Sequence, residues 1–244
     1  MKYLYLTLSS FIIAYIALII FIYFYQRNLL YHPSENNYQN DKIQFDYDEI
    51  FIKVDEEIQL KSWIIRKDLK KFKTLVIFHG NAGHLSNRVY KLNELYKLDI
   101  NVLLISWRGF SGNKGSPTEN NLYADAEASI NWLNEKGVSN KQIILYGESL
   151  GTGVAVEIGK NNKFNSIILE SPFTSIENSA KNYYPYLPVK LMLKDRYDSI
   201  NKIKMINTPI LIMHGKKDEI VPFSMGKELF ERANNPKYSY FTSD

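Results

Sequence analysis

Five short, unbroken apolar runs set at intervals between segments of helical period restrict the architecture of this chain more than any other feature. The runs are residues 75–79, 102–107, 143–146, 167–169 and 210–213, each followed by glycine or polar residues. Runs this short and this apolar suit strands buried on both faces, since a half-exposed strand would alternate with polar residues. Residues 87–98, 122–133, 150–159 and 223–233 carry apolar side chains at helical spacing. Strand and helix in alternation predict an α/β fold, a mostly parallel sheet with helices on both faces. Functional groups then gather at the carboxyl ends of the strands. Ahead of these runs, 45–54 and 57–65 read as a hairpin around Asp55 and Glu56, and 238–242 reads as the final strand.

The amino-terminal segment is of another kind. From Tyr3 to Gln26 there is no charged side chain, and Lys2 and Arg27 close the run. A run of about 20 apolar residues or more crosses the hydrocarbon layer as a helix. Tyr3 and Tyr5 at one end, and Tyr23 and Tyr25 at the other, suit the two water interfaces. A cleaved signal would be shorter and would end in small residues, whereas this run ends in Tyr23, Phe24, Tyr25 and Gln26. The expectation is an uncleaved transmembrane anchor at 1–27, a polar tether at 28–44 and one catalytic domain at 45–244. The flanking charges lean towards an extracytoplasmic domain.

Composition removes several classes of function. A formal charge of +4, from 30 Lys and Arg scattered among 26 Asp and Glu, offers no basic block to track a phosphate backbone, so nucleic acid is excluded as a partner. The absence of cysteine removes disulfides, thiol catalysis and thiolate metal sites.

The chemistry concentrates in three motifs. Gly147-Glu148-Ser149-Leu150-Gly151 stands directly after the 143–146 run and directly before the 150–159 helix. A serine on so sharp a strand-to-helix turn projects its hydroxyl from the sheet as a nucleophile, and the flanking glycines remove side chains that would collide. The bland alternative is a glycine-rich helix entry whose serine only caps. His79-Gly80-Asn81-Ala82-Gly83-His84 follows the 75–79 run; an acyl-transfer site needs two donors for the oxyanion, and the backbone N–H groups of Asn81 and Leu150 fit that role. His79 itself reads as a buried structural histidine. The stretch from His214 to Pro222 holds two carboxylates, Asp218 and Glu219, either of which can orient a histidine.

HGNAGH, SWRGFSGNKGSP, YGESLGTG, ESPFTS and MHGKKDEIVP occur in an order that resembles the α/β-hydrolase superfamily. More narrowly, the chain is similar to its membrane-anchored, small-lid branch of lipid and thioester hydrolases and serine aminopeptidase relatives. The resemblance implies Ser149 as nucleophile, Asn81 and Leu150 as oxyanion donors, and Asp218 rather than Glu219 as the acid. It makes the loop 107–117, with Arg108, Gly109, Gly112 and Gly115, a structural element beside the site. It implies hydrolysis of an ester, thioester or related acyl bond through an acyl-serine intermediate, with no metal or cofactor and an acyl or lipid-like small molecule as substrate. Residues 173–199 are the expected lid, rich in tyrosine.

One element of the pattern is missing. The family places its catalytic histidine after the acid, beyond the last strand, yet all four histidines, His32, His79, His84 and His214, precede Asp218. The expectation is a chain truncated before its base and its last helix, or a degenerate hydrolase, or rescue by His84 or His214. The functions in competition are therefore an acyl-bond hydrolase, a peptidase of the same fold, and a non-catalytic scaffold at the membrane.

Overall fold

The computed structural model describes residues 1–34 and 43–243; residues 35–42 of the expected tether and Asp244 lie outside them. Helix α1 (Lys2–Leu30) is followed by strand β1 (His32–Pro33), the antiparallel pair β2 (Asp48–Lys53) and β3 (Gln59–Ile65), β4 (Thr74–Phe78), the short β5 (Ala82–Gly83), α2 (Val89–Leu95) and β6 (Asn101–Ile105). Then come α3 (Glu119–Glu135), β7 (Ile143–Glu148), α4 (Leu150–Gly159) and β8 (Ser166–Glu170). The segment α5 (Ile176–Tyr183), α6 (Val189–Met192) and α7 (Ser199–Lys202) leads to β9 (Ile210–Gly215), α8 (Phe223–Arg232) and β10 (Lys237–Thr242). Eight strands form one sheet in the order β10-β9-β8-β7-β4-β6-β3-β2, parallel except where β3 joins β2 and β6.

The period of two along each strand divides the core. Val76 and Phe78 of β4, with Leu103 and Ile105 of β6, face a core shared with Leu122 of α3, Val154 of α4 and Leu229 of α8. Their neighbours Leu75, Ile77, Val102 and Leu104 face a second core closed by Val89 and Leu92 of α2. Both faces of the central strands are thus apolar, which is why the sequence shows unbroken runs there.

Helix α1, 29 residues with none buried in the protein, is long and apolar enough to cross a membrane. It runs three residues past the expected boundary, and the chain after it is packed on the domain. Tyr31 is buried, its hydroxyl 2.9 Å from that of Tyr197. His32 and Pro33 pair in parallel with Ala82 and Gly83. A two-residue strand has no period to read, which hid this junction in the sequence.

Candidate active site

Parallel strands β4, β7, β8 and β9 end at one edge of the sheet, and the turns that leave them carry every residue singled out as a site candidate. Ser149 sits between β7 and α4 with φ 49° and ψ −115°, a backbone conformation that costs a non-glycine residue about 1–3 kcal/mol. Close packing of the turn enforces it. A Cβ on Gly147 would lie 2.6 Å from the Gly151 carbonyl oxygen, and one on Gly151 would lie 1.9 Å from that of Phe78. Ser149 N–H is held by the Glu170 carbonyl at 2.9 Å, which locks the turn to β8.

The β4 turn lies against the same serine. A Cβ on Gly80 would stand in ordinary van der Waals range of Ser149 Cβ, at 3.5 Å, which places this loop beside the serine. Leu150 opens α4, where an N–H has no intrahelical partner. The Asn81 carbonyl accepts from His32 N–H at 2.8 Å and its side-chain amide donates to the Leu30 carbonyl at 2.7 Å. His79 is fully buried against Trp107 and Phe110, and its Nδ1–H donates to the Gly80 carbonyl at 2.7 Å. Burial, then the nearby Arg88, pushes its pKa down to about 3, so it is a neutral wedge under the loop.

Asp218 closes the other side. Its Oδ1 accepts from the N–H groups of Ile220 and Val221 at 2.9 and 2.8 Å, and the hydroxyl of Ser171, the residue after β8, donates to it. Burial works to raise its pKa, but these donors and the neighbouring His214 outweigh that and hold it below the usual carboxylate value. Glu219 is exposed. The end of β10 reaches the same place, since Lys216 N–H donates to the Thr242 carbonyl at 2.9 Å.

None of the four histidines is bonded to Ser149. His214 Nε2–H is 2.8 Å from the Val221 carbonyl and 3.5 Å from Asp218 Oδ2, and its ring is sealed beneath α8, where a Cβ on Gly226 would be 2.2 Å from its Nδ1. His84 Nδ1 bonds Ser86 Oγ at 2.7 Å, and His32 is exposed on β1. Arg108 is buried and ion-paired to Asp125 at 2.6 Å.

Sequence reasoning missed a charged network behind Ser149. Lys91 Nζ donates to Tyr146 Oη and Glu148 Oε2 at 2.9 Å and to Glu170 Oε2 at 2.6 Å; Arg88 reaches Glu148 Oε1 at 3.2 Å, and Tyr146 Oη donates to Glu170. Desolvation disfavours the Glu148 carboxylate, yet Lys91 and Arg88 prevail and lower its pKa. These partners brace residues 148 and 170 on either side of the Ser149 turn. Also unread was the packing of α1 on the lid: Arg27 is ion-paired to the buried Asp195 at 2.8 Å, and a cavity of about 230 Å³ lies between α1, α5 and α6.

The sequence profile of the serine aminopeptidase S33 family (Hydrolase_4) matches residues 70–205, more than half of the chain. An uncharacterized protein of Mycobacterium tuberculosis is 33% identical over 231 residues, which cover 93% of this chain and 82% of that one. Protein bem46 of Schizosaccharomyces pombe is 31% identical over 219 residues, covering 83% and 73%. The alpha/beta hydrolase domain-containing protein 17B of Homo sapiens is 36% identical over 169 residues, covering 67% of this chain but only 56% of its own length. Among solved structures, the esterase Pf2001 of Pyrococcus furiosus matches with a TM-score of 0.70 at 21% identity over 88% of each chain. That likeness establishes the α/β-hydrolase fold.

Proposed function

The chain belongs to the serine aminopeptidase S33 family of the α/β-hydrolase superfamily, and we propose that it is a membrane-anchored serine hydrolase acting on carboxylic esters or thioesters. The observation that carries this reading is Ser149 at positive φ on a strand-to-helix turn between β7 and α4. In the proposed reaction, Ser149 Oγ attacks the acyl carbon as a base removes its proton. The N–H groups of Asn81 and Leu150 stabilise the oxyanion. The base returns the proton to the leaving oxygen or sulfur, and water attacks the acyl-Ser149 ester in the same manner, releasing the acid. Asp218 orients the base and stabilises its charged form.

A histidine carried just beyond β10 would enter beside Asp218, because Thr242 is bonded to the loop that holds the acid. Residues 1–27 serve as the anchor and 45–244 as the catalytic domain. The same triad cleaves amides, but the apolar cavity against the lid favours an acyl chain over a peptide. Intact-mass measurement after exposure to a short-chain activated ester tests the reading: an acyl adduct on Ser149, absent in Ser149→Ala, is expected, and an adduct that survives the substitution overturns it.

A further inference from the structure

The cavity between α1 and the lid has a composition that selects its occupant. Ile22, Leu29 and Leu30 of α1 form one wall, and Ala180, Val189 and Met192 form the other. Most polar groups at its margin are engaged elsewhere. Arg27 is paired to Asp195, Gln26 donates to the Met192 carbonyl at 3.0 Å and accepts from Lys194 N–H at 2.8 Å, and the Tyr183 hydroxyl donates to the Glu219 and Ile220 carbonyls. A sugar, nucleotide or peptide placed inside would lose its hydrogen bonds to water with little in return.

The position of the cavity connects two environments. One end is bounded by elements tied to the site: the Leu30 carbonyl accepts from Asn81 in the proposed oxyanion loop, and Tyr183 bonds the residues that follow Asp218. The other end runs along α1. The Tyr15 hydroxyl donates to the Tyr186 carbonyl at 2.6 Å, so the lid reaches a point seven residues, about 10 Å, below Ile22 on the helix. Tyr186 and Leu191 are exposed on the lid, 62% and 85%, as Phe21 and Phe24 are on α1. Lys194 lies over the ring of Tyr23 at 4.3 Å, an arrangement suited to the interface between headgroups and acyl chains.

We propose that this cavity is a bilayer-facing site for one acyl chain of a membrane lipid, which enters sideways between the membrane helix and the lid and directs its carbonyl towards Ser149. The proposal rests on the hydrolase reading above and on α1 as a membrane helix. It differs from a pocket filled from water in that the chain passes from one apolar medium to another. The helix that holds the protein in the membrane is also a wall of the binding site.

The test uses the full chain in phosphatidylcholine vesicles containing a phosphatidylcholine with a diazirine at the end of one acyl chain. After irradiation, crosslinks are mapped by residue. Crosslinks are expected on the cavity-facing Met192 and Val189, competed by excess palmitoyl lysophosphatidylcholine, and reduced at least ten-fold in Ala180→Trp, whose added ring fills the space. Crosslinks confined to outward positions such as Phe21, Phe24 and Leu191, or insensitive to the competitor, overturn the proposal. Because Ala180→Trp can fail to fold, Ser179→Phe is measured beside it, and the competition arm needs no substitution. Fluorophosphonate reaction at Ser149 is read in the same preparation. A crosslinked cavity with a Ser149 that stays unlabelled even when a histidine is supplied after Thr242 sinks the hydrolase reading and leaves the lipid site, whereas a labelled Ser149 without cavity crosslinks sinks the lipid site alone.

Discussion

The side-chain amide of Asn81 donates to the backbone carbonyl of Leu30 at 2.7 Å, joining the turn beside the nucleophile to the last residue of the apolar helix. The adjacent bond from His32 N–H to the Asn81 carbonyl doubles the connection. The apolar helix and the candidate site are therefore one mechanical unit. Removing residues 1–30 is expected to release the chain from carbonate-washed membranes and also to lower its melting temperature, because the Leu30 acceptor and the Arg27 partner of buried Asp195 go with it. A released chain that melts where the detergent-solubilised full chain does would contradict the coupling.

Asn81→Ala keeps the backbone N–H while deleting the bond to Leu30. A stability loss of about 1 kcal/mol is expected in chemical denaturation, the net worth of one hydrogen bond. The rate of Ser149 labelling should fall several-fold, since the donor is then less well held.

The nucleophile turn has no room for side chains. Gly151→Ala would set a Cβ 1.9 Å from the Phe78 carbonyl oxygen, and a cost of about 3 kcal/mol or more is expected. Gly112→Ala is the control: it has φ +77° but nothing within 4 Å, so only backbone strain of about 1–2 kcal/mol should appear. Equal losses for the two would contradict the close packing.

His79 gives a pH dependence of known sign. Its folded pKa of about 3 lies below the usual 6.5, so the folded state binds fewer protons than the unfolded state. The stabilisation is complete above pH 6.5 and is lost as pH falls towards 3, at about 1.4 kcal/mol per unit. Between pH 6.5 and 5, above the range of most carboxylates, the chain should lose about 2 kcal/mol, and His79→Gln should lose markedly less.

The five apolar runs became β4, β6, β7, β8 and β9, because a strand covered on both faces has to be apolar throughout. The helix read at 87–98 is shorter: a tight turn covers Leu85–Arg88 and α2 ends at Leu95. The Lys91 network was illegible because its partners stand 57 and 79 residues away, and a lone lysine on a helix reads as solvated. The packing of Ile22, Leu29 and Leu30 against the lid was illegible for the opposite reason. An apolar run long enough for a membrane already has an explanation in lipid, and nothing in its pattern marks the face that touches protein. Ser171 lies in the ESPFTS motif, but its bond to Asp218 was not legible there, since it depends on how β8 and β9 end side by side.

With a histidine supplied just after Thr242, Asp218→Asn should slow ester turnover by about three to four orders of magnitude. Glu219→Gln should leave turnover within two-fold, because that side chain is exposed. The reverse order would assign the acid to Glu219.

The central claim is that Ser149 is the nucleophile of a site whose acid is Asp218. Fluorophosphonate labelling, mapped by peptide mass, measures this in the chain as it stands and in one bearing a histidine after Thr242. Slow labelling confined to Ser149 in the first, accelerated by at least a hundred-fold in the second and absent in Ser149→Ala, is the expected result. Rapid labelling of the unextended chain, or an extended and folded chain whose Ser149 stays inert, would contradict it.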